Sequence, residues 1–228
     1  MKLYFEDFIY GAIDGTVTTF AVVSGATGAL LPSYVALILG FANLFADGLA
    51  MAIGDYYATK THKEYVEKER RKEEWQIENL PDQEKEDIRK IYADKGFKDE
   101  LLDEIVRVIT ARRKVWLDTM MKEELGMVQD KRLPVTAAVS TFCGFSSIGL
   151  IPLLPFLFAF LSGYTVAISE VFFYSALFTG IAFAVIGIVK GMVVKKSLIR
   201  SAVNTLLIGG IAATVAYLIG YLLGNLIL

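Results

Sequence analysis

Five long apolar stretches and one polar block alternate along the chain. The apolar stretches cover residues 8–31, 34–58, 134–160, 166–189 and 201–225. Each reaches the roughly 20 residues that a helix needs to cross about 30 Å of hydrocarbon. The pattern therefore predicts an all-α fold, that of a polytopic membrane protein with five transmembrane helices and a small helical domain inserted between helices 2 and 3.

The polar block divides the chain into three predicted parts. Transmembrane helices 1 and 2 occupy residues 1–59, the helical domain occupies 60–132, and transmembrane helices 3–5 occupy 133–228. The second helix continues without Gly or Pro from Tyr56 to Leu80. We therefore expect it to extend roughly 30 Å beyond the bilayer.

Pro81, Gly96 and Gly126 interrupt the helical pattern inside the polar block. Three short helices are predicted between these residues, at 83–95, from the residue after Asp99 to 110, and at 112–125. Asp82 and Asp99 are the expected N-caps of the first two. A domain of about 70 residues has a thin core, so a partner chain or a bound metal would help to stabilise it.

Charge is concentrated in the same block. It contains 18 of the 23 Lys and Arg residues and 19 of the 25 Asp and Glu residues, so its net charge of −1 gives no reason to expect nucleic-acid binding. The other basic residues are Lys2, Lys190, Lys195, Lys196 and Arg200, whereas loops 31–33 and 162–165 have none. With five alternating spans, all 23 basic residues fall on one side of the membrane. The positive-inside rule makes that side cytoplasmic, together with the N-terminus and the 60–132 domain, and places the C-terminus outside or in a lumen.

Two further features limit the class of protein. Glu6 and Asp7 precede the first apolar stretch, where a signal peptide has a positive segment, so we expect the chain to begin as the mature protein. Cys143 is the only cysteine in the sequence, which excludes a disulfide framework and a Cys-based metal cluster.

Polar residues inside two of the apolar stretches are candidates for a path through the membrane. Asp14 lies in the first stretch, and Asn43, Asp47, Met51 and Asp55 recur every four residues in the second. This spacing places the four on one stripe of a helix. An aspartate facing lipid at mid-bilayer costs about 2.5–3.5 kcal/mol, so we expect the stripe to face protein or water. Counting about 1.5 Å per residue from the cytoplasmic ends places Asp14 and Met51 at one level, roughly 10 Å inside the hydrocarbon.

The same residues also have a purely structural interpretation. Asp14 and Asp47, each followed by glycine, could cap helix breaks or bond a neighbouring span, and Met51 could fill a gap in the core. Asp55 lies close enough to the surface to be solvated. As ligands, oxygens with one sulfur suit a borderline divalent ion such as Fe²⁺ better than Ca²⁺ or Mg²⁺. Without a His or Cys cluster, a tight zinc site is disfavoured.

The helical domain carries a second set of candidate ligands, formed by acidic residues three or four apart and by two adjacent methionines. They are Glu69, Glu73, Glu84, Asp87, Met120, Met121 and Glu124. Met120 and Glu124 share a helix face in this pattern, with Met121 beside it. Thioethers and carboxylates on one face are typical of a labile Fe²⁺ site. Acidic pairs on a charge-rich helix also occur as a solvated face that binds nothing.

Four segments resemble the vacuolar iron transporter family. They are DGTVTTFAVVSGATG at 14–28, ADGLAMAIGDY at 46–56, WLDTMMKEELG at 116–126 and GLIPLLP at 149–155. They occur in this order, with a charged helical insert between spans two and three, and the resemblance covers nearly the whole chain. Members of that family are five-span homodimers that move Fe²⁺, and often Mn²⁺, out of the cytoplasm in exchange for protons. The resemblance therefore implies a secondary transporter, not an enzyme, with a cytoplasmic metal-binding domain and no prosthetic group.

The resemblance also assigns metal-contacting positions. They are Asp14 and Met51 in the spans and Glu84, Asp87, Met120, Met121 and Glu124 in the domain. Asn43 stands where some members of the family have a glutamate. Asp47, one helical turn further, is the expected source of the missing carboxylate.

A second departure from the family concerns the domain. The second acidic pair of the family falls on Glu73 and Gln76, so a neutral amide stands in place of one carboxylate. Glu69 or Glu74 is the expected substitute for the missing charge.

Two other classes of protein are compatible with parts of the pattern. A membrane-anchored di-iron carboxylate oxidase needs Glu-x-x-His repeats on two helices, and His62, the only histidine, cannot supply them. A metal-sensing or scaffolding membrane protein would leave metal flux unaffected when the aspartates and methionines are changed.

The expected partners are the lipid bilayer, divalent ions such as Fe²⁺ and Mn²⁺, and a second copy of the chain. A homodimer is expected because the domain has a thin core and too few acidic pairs to fill six coordination positions. The expected location is the plasma membrane in a prokaryote and the vacuolar membrane in a eukaryote.

Overall fold

The computed structural model describes residues 4–128, 130–163 and 167–227, and every regular element among them is helical. The helices are α1 (Phe5–Gly28), α2 (Ser33–Asn79), α3 (Pro81–Asp94), α4 (Asp99–Thr110), α5 (Arg113–Thr119), α6 (Pro134–Gly149), α7 (Leu154–Ser162), α8 (Ile168–Val193) and α9 (Leu198–Ile227). The predicted all-α class is confirmed. Lys2 and residues 164 and 165 of the predicted loop lie outside the described residues.

The chain folds as two compact units. The membrane unit comprises Met1–Tyr57 and Arg132–Leu228, and the helical unit comprises Ala58–Lys131. α2 contributes to both, because it is one continuous helix of 47 residues. The helical unit occupies nearly the same residues as the polar block at 60–132.

Five segments among the described residues are long and apolar enough to cross a bilayer, as predicted. They lie in α1, α2, the pair α6 and α7, α8, and α9. The third span is interrupted by a 3₁₀ turn, Ile151–Leu153, because Pro152 has no N–H for the helical ladder. The hydroxyl of Ser175 in α8 donates to the carbonyl oxygen of Pro152 at 2.6 Å. A neighbouring span thus supplies a hydrogen bond at the interruption.

Glycines allow α1 and α6 to pack with their backbones in contact. A Cβ on Gly15 of α1 would collide with the carbonyl oxygen of Phe145 in α6, and a Cβ on Gly144 would collide with that of Phe8 in α1. Small residues permit such close approach inside a membrane. Phe145 is fully buried and belongs to the same hydrophobic core as Leu44 of α2. α1, α2 and α6 therefore share one core.

A smaller core holds the helical unit together. Its buried residues are Val66, Ile77, Ile88, Leu102, Val106, Ile109, Trp116, Leu117, Met120 and Met121. α2, α3, α4, α5 and the turn after α5 all contribute to it.

Three predicted details of the helical unit are wrong. α3 begins at Pro81 and not after an Asp82 cap, because proline needs no partner for a backbone N–H in the first turn. Asp99 is the first residue of α4 and not its cap, and it adopts φ 51°, which aspartate tolerates better than most residues. α5 ends at Thr119 and is followed by one π-helical turn, Met120–Glu124, instead of running to residue 125.

Gly144→Ala is expected to destabilise the membrane unit, because the methyl group would push α1 and α6 apart. Overpacking of this kind costs about 1–3 kcal/mol. Gly210→Ala is the matched control, since nothing lies within 4 Å of a Cβ at that position of α9. Thermal unfolding in detergent should show a lower midpoint for Gly144→Ala and an equal or higher midpoint for Gly210→Ala. Equal midpoints for the two variants would contradict the close packing.

Candidate metal site and membrane path

Three carboxylates of the helical unit lie together. Glu73 comes from α2, Glu84 from α3 and Glu124 from the π turn, and one oxygen of each lies within 4.8 Å of the others. Glu73 and Glu84 are buried, with 4% and 1% of their surfaces exposed, whereas Glu124 is exposed. We refer to these three residues as the acidic cluster.

The hydrophobic core determines where the two buried carboxylates lie. Residues four apart share one face of an α-helix. Glu73 precedes Ile77 by four residues, and Glu84 precedes Ile88 by four, and both isoleucines are buried in the core of the helical unit. Packing of the isoleucines therefore brings the two carboxylates together, although their like charges repel one another.

The π turn brings Glu124 to the edge of the core. Met120 and Met121 are both buried, with 0% and 4% of their surfaces exposed, and both belong to the core. The N–H of Leu125 donates to the carbonyl oxygen of Met120, five residues earlier, at 3.2 Å. Such turns are rare and occur mostly as single insertions, frequently at functional sites. This one buries two adjacent methionines on the turn that carries Glu124.

Burial and repulsion change the acidity of the acidic cluster. The pKa of Glu73 is raised to about 8, first by burial, then by a hydrogen bond with Glu84 and by the charges of Glu84 and Glu124. The pKa of Glu124 is also raised, first by partial desolvation of its carboxylate at the edge of the core and then by the charges of Asp87 and Glu84. At neutral pH Glu73 therefore holds a proton that it shares with Glu84. A divalent cation can replace this proton, because a positive charge favours the ionised carboxylates.

Gln76 takes part in the acidic cluster although it is neutral. Its amide nitrogen Nε2 donates to Oε1 of Glu84 at 3.3 Å. Its oxygen Oε1, and Oε1 of Glu73, are buried without a hydrogen-bond partner among the described residues. Buried oxygens without partners are rare and indicate a place for water or a cation. The amide oxygen of Gln76 is thus available as a neutral ligand.

The remaining predicted ligands of the helical unit have other partners. The charge of Asp87 acts on Glu124, but the carboxylate of Asp87 also pairs with Lys90 at 3.1 Å. Glu69 and Glu74, the expected substitutes for the missing charge, each pair with a basic residue. Neither belongs to the group of three carboxylates found among the described residues. A ligand role for Asp87 and Glu69 stays a prediction.

In the membrane unit, Asp14 of α1 and Asp47 of α2 form an interacting pair. Asp14 is half-buried and Asp47 is exposed. The charge of Asp47 acts on the carboxylate of Asp14, so the two residues are near neighbours across the two helices. We refer to them as the inner pair.

The other residues of the predicted stripe on α2 lie along the same helix. Met51 is half-buried and packs against the core of the membrane unit. Asn43 is half-buried, and its amide nitrogen is buried without a hydrogen-bond partner in the part of the chain that the structure describes. Asp55, also half-buried, accepts a hydrogen bond from the hydroxyl of Thr141 in α6 at 2.7 Å.

One charged pair of the membrane unit is not among the predicted site residues. Asp7 of α1 is buried, and its Oδ1 lies 2.7 Å from Nη1 of Arg132, just before α6. No spacing pattern links Asp7 to Arg132, which is 125 residues away. Spacing does link Asp7 to Asp55, because Asp7 precedes Asp14 by seven residues on α1 and Asp55 follows Asp47 by eight on α2. Two helices joined by a short turn run antiparallel, so these intervals place Asp7 and Asp55 near one level.

Comparison with known proteins gives the family. Residues 5–221 match the sequence pattern of the VIT family. The chain belongs to the VIT family. A protein of Toxoplasma gondii named vacuolar iron transporter is 33% identical over 224 residues, which cover 96% of this chain and 74% of that protein. A vacuolar iron transporter of Plasmodium falciparum is 32% identical over 227 residues, covering 96% and 82%. A vacuolar iron transporter 1 of Tulipa gesneriana is 30% identical over 213 residues, covering 93% and 84%.

Membership in the VIT family confirms the predicted resemblance. The names of the family and of the relatives describe transporters, which supports metal-ion transport as the function and indicates a transporter instead of an enzyme. The five apolar spans make this VIT-family protein an integral membrane protein, so its surroundings are lipid and its substrate is a metal ion.

The raised pKa of Glu73 predicts that the metal-free protein loses stability as pH rises. The pKa is 4.5 without the fold and about 8 within it. Between pH 4.5 and about pH 8 the folded state keeps a proton on Glu73 that the unfolded state has lost. The contribution of this proton to the free energy of unfolding is therefore complete below pH 4.5 and is lost as pH rises through about 8. Thermal unfolding with chelator, from about pH 5 to about pH 8, measures this loss.

Glu73→Gln should flatten this pH dependence, because an amide cannot ionise. Glu104→Gln is the control, since Arg107 lowers the pKa of the exposed Glu104 and that residue stays ionised over the whole range. The control should follow the wild type. A Glu73→Gln profile as steep as the wild-type profile would show that Glu73 holds no proton.

Proposed function

We propose that this VIT-family protein moves Fe²⁺, and also Mn²⁺, out of the cytoplasm in exchange for protons. The acidic cluster is the observation that carries the proposal, because three neighbouring carboxylates suit a divalent cation and one of them, Glu73, has a buried oxygen without a partner among the described residues. The relatives named vacuolar iron transporter support iron as the transported ion.

In this proposal, the helical unit collects the ion. Oxygen ligands alone would favour Mg²⁺ or Ca²⁺, whereas thioether sulfur shifts preference towards softer ions such as Fe²⁺. Met120 and Met121 supply sulfur on the turn that carries Glu124. Both are buried in the core, so we place the ion between the methionines and the carboxylates of Glu73 and Glu84.

The inner pair and the polar stripe of α2 then form the path through the membrane. Asp47 is exposed on the single chain, and a carboxylate facing lipid costs about 2.5–3.5 kcal/mol. Water or a second protein surface therefore has to cover it. Asp14 and Met51 offer a carboxylate and a thioether to the passing ion, with Asn43 and Asp55 further along the stripe.

Proton exchange follows from the same carboxylates. A carboxylate that holds a proton has no negative charge to offer a cation, so proton binding and metal binding exclude one another. Protonation of Asp14 from the non-cytoplasmic side of the membrane would release the ion and leave Asp14 ready for the next exchange. The direction of transport rests on the placement of the basic residues, which puts the N-terminus and the helical unit in the cytoplasm and the C-terminus outside or in a lumen. The membrane is then the plasma membrane of a prokaryote or the vacuolar membrane of a eukaryote.

A homodimer would answer two shortages of the single chain. The acidic cluster brings together three carboxylates, which are too few to fill six positions around more than one ion. α9 and much of the rest of the membrane unit have exposed apolar side chains. The carboxylate of Asp47 is also exposed in the membrane unit. A two-fold partner, the commonest closed arrangement, would share ligands and cover the carboxylate.

Asp14→Asn and Met51→Leu are each expected to lower Fe²⁺ flux by roughly tenfold or more, because each removes a ligand while preserving volume. The assay is Fe²⁺ uptake into proteoliposomes with and without a pH gradient. Met192→Leu is the control for the methionine, since Met192 is an exposed residue of α8 outside the path. Wild-type flux in both path variants would refute the assigned path, and flux indifferent to the pH gradient would refute proton exchange.

Glu73→Gln combined with Glu84→Gln is expected to weaken Mn²⁺ binding while leaving residual flux, because the membrane ligands remain. Calorimetry on the full-length protein, repeated in buffers of different ionisation enthalpy, also detects the proton that Mn²⁺ displaces. Glu86→Gln with Glu100→Gln removes two exposed carboxylates of the same unit and serves as the control. If the cluster pair and the control pair bind Mn²⁺ like wild type, the acidic cluster does not hold the ion.

A further inference from the structure

Two carboxylates interact at the end of the membrane unit where α1 and α6 begin. Asp7 lies in the first turn of α1, and the charge of Asp55 on α2 acts on it. We refer to Asp7 and Asp55 as the outer pair. The side chain of Asp7 is only 7% exposed, and its Oδ2 is buried without a hydrogen-bond partner among the described residues. Two neighbouring carboxylates, one of them buried, are costly to keep ionised unless a positive charge lies nearby.

Arg132 supplies a positive charge to one of them. Its Nη1 lies 2.7 Å from Oδ1 of Asp7. Two further hydrogen bonds fasten this region to the start of α1: the N–H of Leu133 donates to the hydroxyl of Tyr4 at 3.0 Å, and the hydroxyl of Ser140 donates to the carbonyl oxygen of Tyr4 at 2.8 Å. The guanidinium is thus held beside Asp7 by the packing of α1 against α6.

The outer pair lies in line with the inner pair. Seven residues on α1 and eight on α2 separate the two pairs, which corresponds to about 10–12 Å along the helices. Each pair joins the same two helices by an electrostatic interaction. An ion that travels along the polar stripe of α2 therefore meets one pair and then the other.

The surroundings of Asp55 suit a cation. The hydroxyl of Thr141, which donates to Asp55 Oδ2 at 2.7 Å, keeps a lone pair for a ligand. The carboxylate of Asp55 is half-buried, and its Oδ2 is the atom that Thr141 contacts. Asp7, Asp55 and Thr141 thus form a chain of neighbouring oxygen ligands, and the guanidinium of Arg132 contacts this chain at Asp7.

We propose that the outer pair is a second binding site for a divalent cation, and that Arg132 is the resident counter-ion that this cation displaces from Asp7. The inference rests on the proposed transport function and extends it to a site nearer the membrane surface. The guanidinium stays charged at any physiological pH, so it competes with every arriving cation. A divalent ion compensates for the lost Arg132–Asp7 ion pair better than a monovalent ion does, because its electrostatic attraction to the two carboxylates is twice as large. Arg132 thereby favours divalent ions.

The test compares Mn²⁺ concentration dependence in wild type and Arg132→Gln. In proteoliposomes, the KM for Mn²⁺ should fall by about tenfold in Arg132→Gln, a typical size for coupled sites. Arg132→Lys keeps the charge and should stay near the wild-type KM. Arg200→Gln removes an exposed positive charge at the start of α9 and should leave KM unchanged.

A structural clamp between α1 and α6 gives a different result. It predicts that Arg132→Gln lowers the thermal midpoint and the maximal rate but leaves KM at the wild-type value, and this outcome would overturn the proposal. An equal fall of KM in Arg200→Gln would also overturn it, because the effect would then be one of general surface charge. If Arg132→Gln does not fold, Asp7→Asn decides instead: KM should rise several-fold, and an unchanged KM refutes the site.

Equilibrium binding separates this inference from the transport proposal. In protein carrying Glu73→Gln and Glu84→Gln, Mn²⁺ titration followed by electron paramagnetic resonance should show about tenfold tighter binding after Arg132→Gln, and no tightening when Asp7→Asn is also present. Tightening without any wild-type flux supports the site and rejects transport. Normal wild-type flux without tightening supports transport and rejects the site.

Discussion

Holding an ionised carboxylate away from water costs several kcal/mol unless a proton, a cation or hydrogen-bond donors compensate its charge. This protein uses all three means. Glu73 keeps a proton at neutral pH, Asp7 pairs with Arg132, and Asp55 accepts the hydroxyl of Thr141. Each arrangement leaves an oxygen or a neighbouring carboxylate incompletely satisfied, and a divalent cation would satisfy it better. The sites that we propose for the metal ion are thus the places where the fold keeps carboxylates at an electrostatic cost.

Packing is what makes that cost tolerable. In the helical unit, Ile77 and Ile88 are buried in the core. Glu73 and Glu84 lie one turn before them on the same helix faces and are therefore buried as well. In the membrane unit, Gly15 and Gly144 let α1 and α6 touch along their backbones, which positions the helix ends that carry Asp7 and Arg132. Apolar contacts therefore supply the free energy that holds like charges together. A cation bound between these charges would reduce their repulsion and raise the free energy of unfolding.

Transport also needs the compensating groups to be exchangeable. Under the proposed function, a proton on Glu73 and an ion in the acidic cluster would exclude one another, so binding of one would release the other. The exposed carboxylate of Asp47 shows the same principle in the membrane unit, because a charge left on the lipid side needs water or protein to cover it. In the proposed transport path, a second copy of the chain would provide this cover.

The sequence by itself determined the five spans, because membrane thickness sets a length of apolar helix that composition reveals directly. It also located the stripe on α2 and the acidic and methionine residues of the helical unit, since helical periodicity shows which residues share a face. It gave no way to know which faces meet. Glu73, Glu84 and Glu124 come from three separate elements, and Asp7 and Arg132 are 125 residues apart. The π turn that buries both methionines depends on the surrounding core, not on local propensity. Only the tertiary structure decided these contacts, because they arise where apolar packing brings distant helix faces together and overrides the repulsion of their charges.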